Sequence, residues 1–236
     1  MTVGWAAHCT DGVVVASDSL FTMNPGDGGP LHCHARGKIE WVGQRIALMW
    51  SGTFLEDTWA AGLPPAATDD ASVDDVARRV AAYLKPINIR TPNPHPLELG
   101  LGIPDVYEAL IAGGPLGQVP ELLVARGDGQ PPTRLAGQVV LTAMGRGYAK
   151  RRGIEILAPN PARTVEEAAI LGVRTVRDVI YGLYADGGRS CLRDYFPDGF
   201  DAAGQIPPAA FPIHIAAITA DDTQETVVHN PDGDEL

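Results

Sequence analysis

The chain opens with two apolar runs of strand length on either side of a turn signal. Val3 to His8 is the first run, Asp11-Gly12 supplies the turn, and Val13, Val14, Val15 and Ala16 form the second. That second run is β-branched and lacks polar alternation, the pattern of a strand buried on both faces. Phe21 to Gly37, with the segment NPGDGGP, is rich in turn formers and is expected to be a loop. Lys38 to Val42 and Arg45 to Trp50 then read as two strands joined by a Gly43-Gln44 turn.

A helical but interrupted stretch follows. Thr53 to Ala61 could begin a helix, and Gly62, Pro64 and Pro65 must end it. Ser72 is a suitable N-cap for a helix from Val73 to about Leu84, with Asp74 and Asp75 placed to complement its dipole. The next segment, KPINIRTPNPHPLELGLGIP, carries five prolines and no regular period. Glu121 to Arg126, Thr133 to Leu135 and Gln138 to Ala143 read as a second group of strands. A long helix is expected from Val165 to Tyr184. Thr164 and Glu167 make a capping box, Val165, Ala168, Ala169, Val173, Val176 and Ile180 form the apolar face, and Gly187-Gly188 ends it. Pro212 to Thr219 is the last strand, with a turn at Asp221-Asp222 and an acidic tail, about 230–236, expected to fray. No linker divides the apolar segments, so a single domain over 1–236 is expected, with helices outside a β-sandwich.

Composition and charge narrow the function classes. The 236 residues are 45% hydrophobic and 20% charged, which suits a packed core. With 29 acidic and 18 basic residues the net charge is −11, which disfavours nucleic acid and anionic membrane as partners. Lys150-Arg151-Arg152 is the only basic cluster and reads as a solvated helix face. No apolar run reaches the roughly 20 residues that span a bilayer. MTVGWAAHCTDG lacks a secretory signal pattern, so a cytoplasmic protein is expected. Cys9, Cys33 and Cys191 are odd in number and widely spaced, against a disulfide framework. His32-Cys33-His34 invites a metal, but three successive positions do not converge easily on one tetrahedral ion, and a mobile loop is the plainer reading. No metal and no other cofactor is expected.

Three features carry candidate chemistry. Thr2 follows the initiator Met, and its small side chain favours removal of Met1. Removal would leave a hydroxyl and a free α-amine, with a reference pKa of about 7.7–8.0, on one residue. Asp18 ends the buried Val-rich strand, where a carboxylate is costly unless paired. Lys38 opens the third expected strand and is a natural partner for it. A buried ammonium near Thr2 would lower the hydroxyl pKa, with Asp18 holding it charged; a purely structural ion pair explains the same two residues.

The stretch TVGWAAHCTDGVVVASDS resembles the start of mature proteasome β subunits and of the bacterial HslV-type peptidase. In those families a Thr, an apolar strand, an acidic-Gly turn and a Val-rich strand lead to an Asp sixteen residues after the Thr, the interval from Thr2 to Asp18. Lys38-Ile39 resembles the family's lysine, and Ser51-Gly52-Thr53 the small-residue turn that provides the oxyanion-hole amide. ELLVARGDGQPPTRLAG, MGRGYA, TVEEAAILGVRTV and FPIHIAAITADD resemble later parts of the same fold. The resemblance implies an α+β, four-layer αββα sandwich of the N-terminal-nucleophile hydrolase type. It implies a threonine-type amidohydrolase or peptidase in which Thr2 attacks, Lys38 and Asp18 tune it, and the Gly52 N–H stabilises the oxyanion. A peptide or small amide would be the substrate, Trp50 and Phe54 would line its pocket, and a homo-oligomer with an unknown ATPase partner would be the setting.

The sequence also departs from that pattern. Arg146 stands where the family has a Ser, and its Asp-x-x-Ser falls on Leu183 and Asp186; Asp186 could serve the amine as a carboxylate, or simply be a turn residue. The family's Arg two positions beyond the Asp is Leu20 here. Interruption of the first long helix and the proline-rich insertion at 86–104 put a standard ring in question. A catalytically degenerate scaffold or binding subunit, or a hydrolase or acyltransferase of small amides, are the alternatives.

Overall fold

The structure is a computed structural model and describes residues 3–23, 32–35, 37–51, 72–90, 108–135, 139–141, 164–185 and 211–229. The two opening apolar runs become the antiparallel pair β1 (Gly4–His8) and β2 (Gly12–Ser17), with Gly4 opposite Ser17 and His8 opposite Val13. On the far side of β2 lies β11 (Ile213–Thr219), followed by β12 (Thr223–Val228); β10 (Val139–Leu141) pairs with the outer side of β1. The first sheet therefore runs β10-β1-β2-β11-β12, antiparallel throughout. A second antiparallel sheet holds β5 (Ile39–Val42), β6 (Ile46–Ser51), β7 (Glu108–Gly113), β8 (Glu121–Arg126) and β9 (Thr133–Arg134), in that order.

Strand alternation sorts the side chains into three apolar layers. Ala6, Val13, Val15, Ala216 and Ile218 of the first sheet meet Ile39, Ala47, Met49, Leu110, Ala112, Leu122 and Val124 of the second. The opposite face of the first sheet, with Trp5, Ala7, Val14, Ala16, Ile213 and Ile215, packs on a late helix, α2 (Val165–Ala185). The opposite face of the second sheet, with Ile46, Leu48, Ala109, Ile111, Leu123 and Ala125, packs on α1 (Val73–Arg90). Strands used on both faces cannot alternate apolar with polar, which is why β2 reads as an unbroken Val run.

Local chemistry fixes the ends of these elements. The capping box forms as a reciprocal pair: Glu167 N–H donates to Thr164 Oγ1 at 3.3 Å and Thr164 N–H to Glu167 Oε2 at 3.1 Å. Asp11 Oδ1 takes the Val165 N–H at 2.8 Å, tying the β1–β2 turn to the start of α2. Ser72 Oγ accepts from Asp75 N–H at the start of α1. Gly172 is required where α2 crosses β1, since a Cβ there would lie 2.7 Å from the Trp5 ring. Trp5 is fully buried at that contact, and among the described residues its indole N–H has no hydrogen-bond partner.

Several expectations are corrected. Among the described residues the chain is mostly β, two five-stranded antiparallel sheets and a two-stranded ribbon with two helices, which corrects the expected four-layer αββα sandwich. The first expected helix, Thr53–Ala61, lies outside the described residues. The expected loop 21–37 contains a two-stranded ribbon, β3 (Leu20–Met23) with β4 (His32–Ala35), so His32, Cys33 and His34 lie on a strand. Helix α1 continues beyond Leu84 to Arg90 and through Pro86. Pro86 and Ala82, one turn earlier, are both exposed, so water can reach the carbonyl that the ring leaves without a donor. β7 and β12 were not expected. The run EALIAG is short and buried on both faces, a pattern shared with a buried helix segment, and TQETVV is a polar edge strand with little apolar signal. The rest of the insertion after Arg90 and the tail 230–236 lie outside the described residues.

Candidate functional site

Three chain segments meet at one end of the seam between the sheets: the residue before β1, the residue after β2 and the residue before β5. Val3 N–H donates to Asp18 Oδ1 at 2.8 Å, and Asp18 N–H donates back to the Val3 carbonyl at 3.0 Å. Lys38 Nζ donates to the same Asp18 Oδ1 at 2.7 Å. Asp18 is fully buried and Lys38 is 3% exposed. The peptide N–H that follows Thr2 is thus held by a carboxylate that is itself neutralised by a buried ammonium.

The flanking residues build this corner from polar groups that are satisfied locally. Ser17 Oγ donates to the Asp18 carbonyl at 2.9 Å, and Ser19 Oγ donates to the Pro212 carbonyl. Ser17 and Ser19 are fully buried. Burying a lone carboxylate costs several kcal/mol, so Asp18 needs both its cation and its N–H donor. Burial pushes the Lys38 ammonium below its ordinary range, and the charge and hydrogen bond of Asp18 oppose that shift. Desolvation thus weakens the ammonium's hold on its proton, and Asp18 works against that loss.

The other candidates are placed as follows. Trp50 lies on β6 with its backbone opposite Ala109, one residue before Ser51, which pairs with Glu108. Thr2, Gly52, Phe54, Arg146 and Asp186 lie outside the described residues. Cys9 is buried, and burial with the nearby Asp11 charge pushes its thiol up to about 12, so it is not a nucleophile. No group of three His, Cys, Asp or Glu among the described residues could hold a metal. Sequence reasoning missed the Val3 N–H as the second group on Asp18, although its place just after Thr2 was the available signal.

No protein-family model matches the chain, and no curated protein matches it. Solved structures do. An Anbu (Gly-1) mutant from Hyphomicrobium sp. strain MC1 aligns over 99% of this chain and 89% of its own, with a TM-score of 0.59 at 15% identity. The chain is similar in fold to the Anbu proteins. Anbu (ancestral beta-subunit) from Yersinia bercovieri aligns over 97% of this chain and 87% of its own, with a TM-score of 0.58 at 12% identity. A third match is the helical assembly of the Anbu complex from Pseudomonas aeruginosa, over 99% and 88%, with a TM-score of 0.59 at 15% identity. These matches correct the family expectation. The resemblance to proteasome β subunits and the HslV-type peptidase holds only coarsely, as a proteasome-related fold whose neighbours are Anbu proteins at 12–15% identity. No helix among the described residues is long and apolar enough to cross a membrane.

Proposed function

We propose that the chain is a proteasome-like, β-type subunit that works in an assembly of its own copies and carries an amide-hydrolysing site at its N-terminus. Support for the subunit role comes from the near full-length likeness to Anbu structures, one of them a helical assembly. Support for hydrolysis comes from one observation: the buried Lys38–Asp18 pair, whose carboxylate also takes the N–H of the residue after Thr2. The comparisons favour the subunit role over catalysis, because likeness at this identity speaks for fold. A cytoplasmic setting and a peptide or small amide as substrate complete the reading.

In this mechanism Met1 is removed and the freed α-amine of Thr2 takes the proton of its own hydroxyl, directly or through water. Thr2 Oγ bonds to the amide carbonyl carbon, and the Gly52 N–H stabilises the oxyanion, a contribution of about 2.7–4 kcal/mol where such donors have been removed. The C–N bond then breaks as the ammonium returns its proton to the leaving amine. Water, deprotonated by the same amine, cleaves the acyl-threonine ester and restores the hydroxyl. Lys38 supplies the fixed positive charge that favours the alkoxide, and Asp18 keeps Lys38 charged and aimed.

A second reading, a scaffold without catalysis, is favoured by Arg146, Leu183 and Asp186, which replace the auxiliary Ser and Asp-x-x-Ser groups. Two measurements separate the readings. Light scattering on the full chain should report a multimer; a monomer at all concentrations overturns the subunit role. A Met1-free multimer should cleave members of a fluorogenic peptide-amide panel and lose that turnover in Thr2→Ala. An intact, processed multimer with no turnover on any amide leaves only the scaffold.

A further inference from the structure

We propose that His214 is a positioning residue for the Lys38–Asp18 pair, acting through Gly37 on the chain that delivers Lys38. Its effect on catalysis rests on the hydrolytic reading above; the coupling to Lys38 does not.

His214 is the second residue of β11 and lies opposite Ser17 on β2, the residue before Asp18. Its ring is seated on Gly37, the residue before Lys38. A Cβ placed on Gly37 would be 3.1 Å from His214 Cε1 and 3.2 Å from Nδ1, so any side chain there would press the ring away by a few tenths of an ångström. On the other side, Nδ1 is 3.9 Å from Glu225 Oε1, and the second oxygen of Glu225 accepts from Trp41 Nε1 at 2.9 Å. Trp41 lies on β5, three residues after Lys38. The imidazole is therefore wedged between the entry to β5 and β12, one residue from each member of the buried pair.

The charges around the ring come from several elements. Glu225 on β12 and His229 at its end act on the ring directly, while Asp18 after β2 and Lys38 before β5 lie one residue beyond its backbone neighbours Ser17 and Gly37. Helix α2 covers the opposite face of β11 with apolar residues. Burial, the largest influence, lowers the affinity of His214 for a proton below the ordinary 6.5; Glu225 opposes this and His229 adds to it. Near neutral pH the ring is therefore uncharged. In acid, an imidazolium forms one residue from Lys38 and is drawn toward Glu225, which loosens the seat on Gly37.

The sequence holds three lysines, Lys38, Lys85 and Lys150, so carbon-13 labelling at lysine Cε gives three assignable signals. Lys85→Arg and Lys150→Arg identify two of them. In the full chain, the Lys38 signal should move between about pH 8 and pH 5 with a midpoint below the ordinary histidine value. His214→Phe, which keeps a ring but not the proton, should abolish that movement while leaving the neutral-pH position in place. His214→Ala should displace the signal at neutral pH and slow acylation of Thr2 by a β-lactone on the order of tenfold, as expected for a misplaced catalytic group, with the ring of His214→Phe restoring the rate. A Lys38 signal with the same position and pH response in all three proteins overturns the proposal. If Lys38 responds as stated but no form is acylated at any pH, the positioning role stands and the hydrolytic reading falls.

Discussion

The seam between the two sheets is closed at each end by a buried cation, and the two ends are built differently. At the far end Arg45 is 8% exposed and is held by backbone carbonyls: Nε donates to Gly114 at 3.2 Å, and Nη2 donates to Thr219 at 2.6 Å and Ala220 at 2.9 Å. At the near end Lys38 meets the Asp18 carboxylate, which also reaches the first described residue of the chain. A guanidinium cannot give up its proton and its planar fork suits several fixed acceptors, so Arg45 is a clamp. A buried ammonium is sensitive to its surroundings and exerts a field on whatever lies beside it. The same charge does structural work at one end and, in the function proposed above, serves chemistry at the other.

The largest expected effect comes from removing the carboxylate. Asp18→Ala takes the carboxylate away from the buried Lys38 ammonium and the Val3 N–H and should destabilise the fold by about 3–5 kcal/mol, read from chemical denaturation. Arg45→Met leaves carbonyls that have neighbouring backbone and some access to water, so its cost should be about 1–3 kcal/mol, with no change in reactivity at Thr2. Equal costs at the two ends would erase the distinction drawn between them. The smallest effect is a pH dependence confined to the near end. His214 binds its proton more weakly in the folded than in the unfolded chain. The unfolded state therefore takes up more protons as pH falls through 6.5, and stability should decline below that value and level off once the folded ring is also protonated. In His214→Phe the melting temperature should lose that acid-side component.

The near end was partly legible in the sequence because burial makes demands that show in residue type. A carboxylate closing the VVVAS run requires a cation, and the lysine opening β5 is the one Asp18 meets. The α2 start was legible for a similar reason, since Thr164 and Glu167 satisfy orphan N–H groups within three residues of each other. The far end was not. Arg45 is held by carbonyls of residues about 70 and 175 positions away, and carbonyls carry no sequence signal. The same limit hid β7 and β12: a short strand buried on both faces lacks a period, and an edge strand lacks hydrophobicity. His214 was read only as part of the strand IHIAAIT, and its seat on Gly37 depends on a pairing between distant segments.

The central claim is that the near-end ammonium serves the residue-two hydroxyl. The most direct measurement is the intact mass of the Met1-free chain after incubation with a β-lactone or epoxyketone. The account predicts one adduct on Thr2, absent in Thr2→Ala, unchanged in Arg45→Met, and formed on the order of a hundredfold more slowly in Lys38→Ala. A processed chain that takes up no probe, or that reacts equally fast without Lys38, contradicts it.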